Sequence, residues 1–275
     1  MPIPKIIHQT FDVYQRLPDA LKDNCKAIAA MNSNREYRFY EKKEISRLIQ
    51  DNFGNHVYER YNRINPTFAA ARSDLFRYLC IYACGGIYLD VKADVRRPIF
   101  ASILPSDEYI LSQWDQSEGS AHAGWGSHPE LGGFRSFQQW VLMASPGHPF
   151  LAAVIATVLK RIDDFDAFRY VRNSWSAVIH TTGEEPYTKA ILEVIDQHPH
   201  RVAVMERDFD IAYSVFGSTG RDVVHHQKLY ASYALQTAPL IRQKWPLSWM
   251  FSLISGLRQL SRAARSLLAA WRPSG

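Results

Sequence analysis

The chain has 275 residues, 47% of them hydrophobic, and a formal net charge of +5, a balance that supports one sizeable core and excludes a globally disordered polymer. The charge is unevenly placed. No acidic residue follows Asp222, whereas Lys228, Arg242, Lys244, Arg258, Arg262, Arg265 and Arg272 all do, which points to an anionic partner for the C-terminal end. No uninterrupted apolar run is long enough to span a bilayer. The opening MPIPKIIHQTF lacks the basic and apolar regions of a signal peptide, so the cytoplasm is the expected compartment. Cys25, Cys80 and Cys84 form no metal or disulfide framework.

In chain order, Pro4 to Phe11 reads as a first strand, apolar at its centre and polar at its exit. Residues 18 to 30 have helical spacing, with Pro18 suited to a first turn. Arg35 to Tyr40 alternates as a second strand, and Glu41 to Gln50 follows as a short helix burying Ile45, Leu48 and Ile49. This β-α-β-α order predicts a wound α/β sheet. Asn65-Pro66 is a turn feeding the central segment.

That segment, Ala69 to Pro98, is expected to be a helix, a Gly85-Gly86 turn and a strand from Ile87 to Val91. Leu75, Tyr78, Leu79 and Tyr82 mark one helical face, while Asp74 and Arg77, three apart, share another. Glycine ends the helix because the residue beyond a helix terminus often needs a positive φ. Along the strand Ile87, Leu89 and Val91 point one way and Tyr88 and Asp90 the other. A carboxylate at the end of such a strand lies where open α/β sheets place ligands.

Beyond Pro98, Tyr109 to Leu111 is a candidate strand. Gln113 to Gly133, rich in Gly, Ser, His and Trp, has the character of a binding loop in which Trp114, His122 and Trp125 either contact a sugar or pack the loop down. Gln138 to Leu159 contains a sharp Ser145-Pro146-Gly147-His148-Pro149-Phe150 turn between a strand and a helix, and Asp163 to Arg172 is a charged connection. Thr181-Thr182-Gly183 precedes a helix from Pro186 to Ile195. Glu184 and Glu185 before it serve either as site carboxylates or as partners of the helix dipole. Pro246 to Arg272 is a basic amphipathic helix. Its apolar stripe runs through Met250, Leu253, Ile254, Leu257, Ala264, Leu267, Leu268 and Trp271, and Arg258, Arg262 and Arg265 flank it. Because those cations are interleaved with a broad apolar stripe, an anionic membrane surface is the expected partner and nucleic acid is not.

Ser73-Asp74-x-x-Arg77-Tyr78 followed by Gly85-Gly86-Ile87-Tyr88-x-Asp90 resembles the core of the DXD-motif sugar transferases, the group of α-1,6-mannosyltransferases and capsule enzymes. More distantly it resembles the glucosylating toxin domains. The Pro-Gly-His-Pro turn and the Thr-Gly turn follow in matching order, so the resemblance covers roughly residues 2 to 190. It implies a GT-A-type fold: a single Rossmann-like domain with a mixed central sheet over residues 1–245, followed by the helix of 246–275. It also implies transfer of a sugar from a nucleotide donor to a glycan or lipid-linked acceptor with retention of configuration, in cell-surface or capsular polysaccharide synthesis, at the inner face of the membrane. By the same resemblance Asp74 and Arg77 contact the donor, Asp90 holds the ribose and metal region, and His8, Gln9, Thr10, Phe11, Tyr88, Thr182 and Gly183 line the nucleotide site, with Phe11 stacking on the base. His225 or His226 is the family's C-terminal histidine near the metal and diphosphate.

One position departs from the pattern. Where the family has Asp-x-Asp, this chain reads Asp90-Val91-Lys92, with a further acid only at Asp94. Either Asp94 joins Asp90 on a divalent metal, Mn²⁺ or Mg²⁺, or the Lys92 ammonium replaces the metal against the diphosphate. A third reading is a catalytically silent relative that acts as a membrane-associated binding or assembly partner.

Overall fold

The computed structural model describes residues 1–171, 173–217 and 238–270, apart from the side chains of 259 and 262–270. Its centre is a six-stranded mixed sheet in the order β2-β1-β3-β6-β5-β7. The strands are β1 Ile6–Thr10, β2 Glu36–Tyr40, β3 Gly86–Leu89, β5 Tyr109–Gln113, β6 Phe137–Ala144 and β7 Arg201–Val204. β1 runs parallel to β2 and β3, β6 is antiparallel to both β3 and β5, and β7 is parallel to β5. A separate ribbon pairs β4 Asp94–Val95 with β8 Ile211–Ala212. The expected α/β class with a mixed central sheet is thus what the chain adopts.

Alternation along the strands sorts the core into two layers. Tyr88, Tyr109, Leu111 and Leu142 face a cluster built with α2 Lys42–Arg63, α3 Ala69–Cys84, α4 Pro149–Asp163, α5 Ser174–Thr181 and α6 Glu184–Leu192. Ile7, Ile87, Leu89, Ile110 and Met143 face the other side, covered by α1 Asp19–Met31 through Ile28 and by Val95, Phe209 and Ile211.

Three elements differ from expectation. The helix predicted over 41–50 continues to Arg63, because Val57 and Tyr61 extend the buried face beyond a break at Gly54. Helix α5 precedes the Thr-Gly turn, held by an Asn173 cap that accepts from the Ser176 amide. Helix α6 starts at Glu184, and Pro186 fits its first turn, where an amide has no intrahelical acceptor.

The α3–β3 junction sets the site. Gly85 and Gly86 have φ of 62° and 95°, and a Cβ on Gly86 would lie 2.6 Å from the Ile6 carbonyl oxygen. Below them His8 is fully buried, its Nε2 3.0 Å from the Gly85 carbonyl and its Nδ1 2.9 Å from the Tyr40 hydroxyl. Burial lowers its pKa to about 4, so the ring is a neutral strut that donates to the carbonyl and accepts from Tyr40.

The C-terminal helix, Leu247–Ala270, has two faces. Phe251 and Ser255 are buried, and the Phe251 ring lies 6.4 Å from that of Phe168. Trp249, Leu253, Leu257 and Leu260 are 48–69% exposed, and their four-four-three spacing puts them in one stripe on the side away from Phe251. No helix among the described residues is long and apolar enough to cross a membrane.

Gly86→Ala is expected to lower folding stability by about 2 kcal/mol or more, since it combines a disfavoured φ with a backbone clash. Urea denaturation of the variant beside the wild type measures it; an unchanged midpoint contradicts the junction's role.

Candidate functional site

A cleft of about 470 Å³ opens at the carboxyl ends of β1 and β3, walled on the far side by the loop after β5 and by α5 and α6. Its floor is organised by Arg77. This guanidinium, 4% exposed, donates through Nη1 to the Gln139 carbonyl at 2.8 Å and through Nε to the Ser73 carbonyl at 3.3 Å. Its Nη2 lies 3.3 Å from Asp74 Oδ1 and 3.1 Å from Asp90 Oδ1. Burial works against its charge, but the carboxylates of Asp90 and Asp74 outweigh burial and hold its pKa above the ordinary arginine value.

The two acids differ. Asp74 is sealed, and burial pushes its carboxyl up to about 7 against the lowering effects of Arg77 and of the Thr182 hydroxyl, which donates to its Oδ2 at 2.9 Å. Asp90 is partly open. Its Oδ1 takes Arg77 and the Tyr88 hydroxyl at 3.2 Å, while Oδ2 has no partner among the described residues. Lys92 follows on a turn closed by the Ala93 amide on the Asp90 carbonyl and clamped by Asn24, whose amide donates to the Val91 and Ala93 carbonyls. The Lys92 ammonium lies 3.5 Å from the centre of the Tyr213 ring and lines the cleft.

The structure brings Thr10, Asp74, Arg77, Tyr88, Asp90 and Lys92 together on the cleft wall. It places others elsewhere. His8 lies beneath the glycine turn, and Gln9 is buried between the Asp90 carbonyl and the Tyr37 hydroxyl. Phe11 packs with Leu17, Leu21 and Val91. Thr182, at the end of α5, donates to Asp74, and Gly183 is the N-cap of α6, so both support the site from outside the cleft lining. Trp114 and Trp125, by contrast, do line the cleft together with Trp140 and Tyr213, in an aromatic cluster that His122 joins from outside the lining. His225 and His226 lie outside the described residues.

A divalent cation does not fit the described residues. Asp90 offers one free carboxylate oxygen beside an ammonium, and Asp94 is turned into the β4–β8 ribbon, where Arg96 holds it at 2.9 Å. No group of three His, Cys, Asp or Glu side chains suited to a metal occurs among the described residues, whereas Mg²⁺ and its analogues need several oxygen ligands.

Sequence reasoning passed over His128 and Trp175. His128 Nε2 is 2.7 Å from Glu184 Oε1, whose other oxygen accepts from Ser136 at 2.8 Å. Trp175 lines the cleft while 52% exposed. An indole in the first turn after an Asn cap is the signal that could have found it.

A cleft at the carboxyl ends of parallel strands, lined by both an acid and a cation, lies where open α/β sheets bind their ligands. Residues 13–110 match the family described as glycosyltransferase sugar-binding region containing DXD motif. An initiation-specific alpha-1,6-mannosyltransferase of Candida albicans (strain SC5314 / ATCC MYA-2876) is 26% identical over 216 residues, covering 71% of this chain and 54% of that protein. The chain therefore spans about half the length of that curated relative. A solved structure, the PaToxG glycosyltransferase, is similar over 71% of each chain at 16% identity and a TM-score of 0.47. Over these residues the chain is similar to the DXD-motif glycosyltransferases, the family its motifs resemble.

Replacing Arg77 by Met is expected to cost about 3–5 kcal/mol, because it leaves a buried carboxylate uncompensated. Adding Asp74→Asn in the same chain recovers part of that loss; equal urea midpoints for single and double variants would contradict the bridge.

Proposed function

We propose that this protein is a hexosyltransferase that moves a sugar from a UDP- or GDP-sugar to a glycan or glycolipid acceptor, with retention of configuration, in cell-surface polysaccharide synthesis. The observation that carries the reading is that Asp90, whose Oδ2 has no partner among the described residues, and Lys92 line one cleft whose segment matches the sugar-binding region. Asp90 Oδ2 accepts from a ribose or sugar hydroxyl. As the bond between the sugar carbon and the phosphate oxygen breaks, its electrons move onto the diphosphate. Lys92 supplies the positive charge that stabilises this developing anion, a kind of stabilisation that is a large catalytic contribution. Arg77, already committed to two carboxylates and two carbonyls, positions Asp90 and leaves the phosphate to Lys92.

Turnover of the nucleotide sugar, as transfer or hydrolysis, is expected to survive EDTA and to fall about 100-fold or more in Lys92→Ala. A strict manganese requirement overturns the lysine's role. Binding of UDP- or GDP-sugar without any turnover supports the silent relative instead.

The catalytic part is taken to end at 245, with the helix beyond it holding the protein to the inner face of the membrane. Support comes from the exposed Trp249, Leu253, Leu257 and Leu260 stripe and from the acid-free, cationic sequence around it. A second copy would set like charges against each other, whereas anionic lipid gains roughly 1 kcal/mol per basic residue near the surface. The protein is expected to float with vesicles containing phosphatidylserine and to remain behind with pure phosphatidylcholine. Leu253→Glu/Leu257→Glu should abolish flotation, and equal recovery on both vesicle types counts against the lipid surface.

A further inference from the structure

We propose that Trp175 and the His128–Glu184 pair form an acceptor subsite on the far wall of the cleft, shaped for a neutral pyranose; this rests on the transferase reading. Trp175 stands on α5, whose Ala177, Val178 and Thr181 are buried against the domain, yet its own indole is 52% exposed and lines the cleft. The Asn173 cap fixes the backbone beneath it. An exposed indole face on a capped helix turn, in the same cleft as a polar group, is a surface that the apolar C–H face of a pyranose can cover.

The polar group is His128. Glu184 holds its Nε2, and Ser136 holds Glu184 in turn. The segment carrying His128 is pinned by the Ser136 amide on the Gly126 carbonyl at 2.8 Å and by a bridge between Ser127 and Arg135. The imidazole therefore has a set orientation, and its Nδ1 has no partner among the described residues. With Nε2–H donating to Glu184, Nδ1 accepts from a sugar hydroxyl. If the ring is protonated, Nδ1 donates to the same hydroxyl, which can play either part.

Charge selects a neutral ligand here. The hydrogen bond that His128 donates to Glu184 raises its pKa against the opposing effect of burial, and the fields of Glu184, Glu130 and Glu185 add to the rise. The carboxylates here are already paired, Glu185 with Arg161 and Glu130 with His180, so this wall offers a diphosphate no unengaged cation among these groups, whereas Lys92 lines the other wall. The cleft thus separates an anionic donor from an uncharged acceptor by the sign of the nearest side chains.

The full chain can be tested by saturation-transfer NMR against α-1,6-mannotriose, maltotriose and cellotriose, with UDP and GDP measured in parallel. Wild type should transfer saturation to the pyranose protons of at least one trisaccharide. Trp175→Ala should weaken that binding about tenfold, Trp175→Phe should retain most of it, and nucleotide affinity should be unchanged. His128→Ala should weaken the same trisaccharide. If UDP or GDP binds but no trisaccharide does, or if Trp175→Ala leaves trisaccharide binding intact, the acceptor subsite is overturned while the donor reading stands. If wild type binds neither nucleotide, the donor reading itself falls, and the subsite with it.

Discussion

The Arg77 guanidinium ties the floor of the cleft together. A buried charge is costly unless paired and hydrogen-bonded, and Arg77 meets that condition only when three chain segments are in place. These are its own helical turn with Ser73 and Asp74, the end of β3 at Asp90, and the Gln139 carbonyl of β6. A planar group with five donors can satisfy four acceptors at once, which a lysine could not. The same requirement reaches further back, because Asp74 is sealed by Thr182 and Thr182 sits at the turn into α6. Folding the core and building the site are therefore one event at this point in the chain.

Commitment of Arg77 also divides labour between the acids. Asp74 lies behind the guanidinium with both oxygens occupied, while Asp90 gives up one oxygen to hold its orientation and keeps the other for a ligand. The glycine junction makes this possible. Gly86 lets β3 lie against Ile6, which carries Asp90 to the cleft within a strand only four residues long.

Much of this was legible from local pattern. The helix over 69–84, the glycine turn and the opposed faces of Ile87 and Tyr88 follow from periodicity and from glycine's access to positive φ, and all three are observed. What could not be read depends on distant partners. His-Gln-Thr at the exit of β1 looks like a ligand-binding signature. Yet His8 is consumed by a carbonyl 77 residues away, and only the folded junction shows this. Thr182 reaches Asp74 across 108 residues, and the two-residue strands of the β4–β8 ribbon are too short to carry any periodicity. Trp175 was missed for the opposite reason: it departs from the buried pattern because its surroundings leave it open.

The same reasoning explains how a lysine is accommodated at the third position of Asp90-Val91-Lys92. Lys92 is 7% exposed and sits against the face of Tyr213. That face is the negative side of an aromatic quadrupole, which attracts an ammonium and repels a carboxylate. The Asn24 clamp on the Val91 and Ala93 carbonyls fixes the turn from both sides of Lys92, so the backbone that carries this side chain is set independently of any ligand. Asp94, the remaining acid nearby, is directed into the ribbon and neutralised by Arg96. The departure at 92 is thus matched by its neighbours at 24, 96 and 213. Restoring an aspartate at 92 alone would set a carboxylate against an aromatic face and beside Asp90, without supplying the ligand geometry that a dication needs.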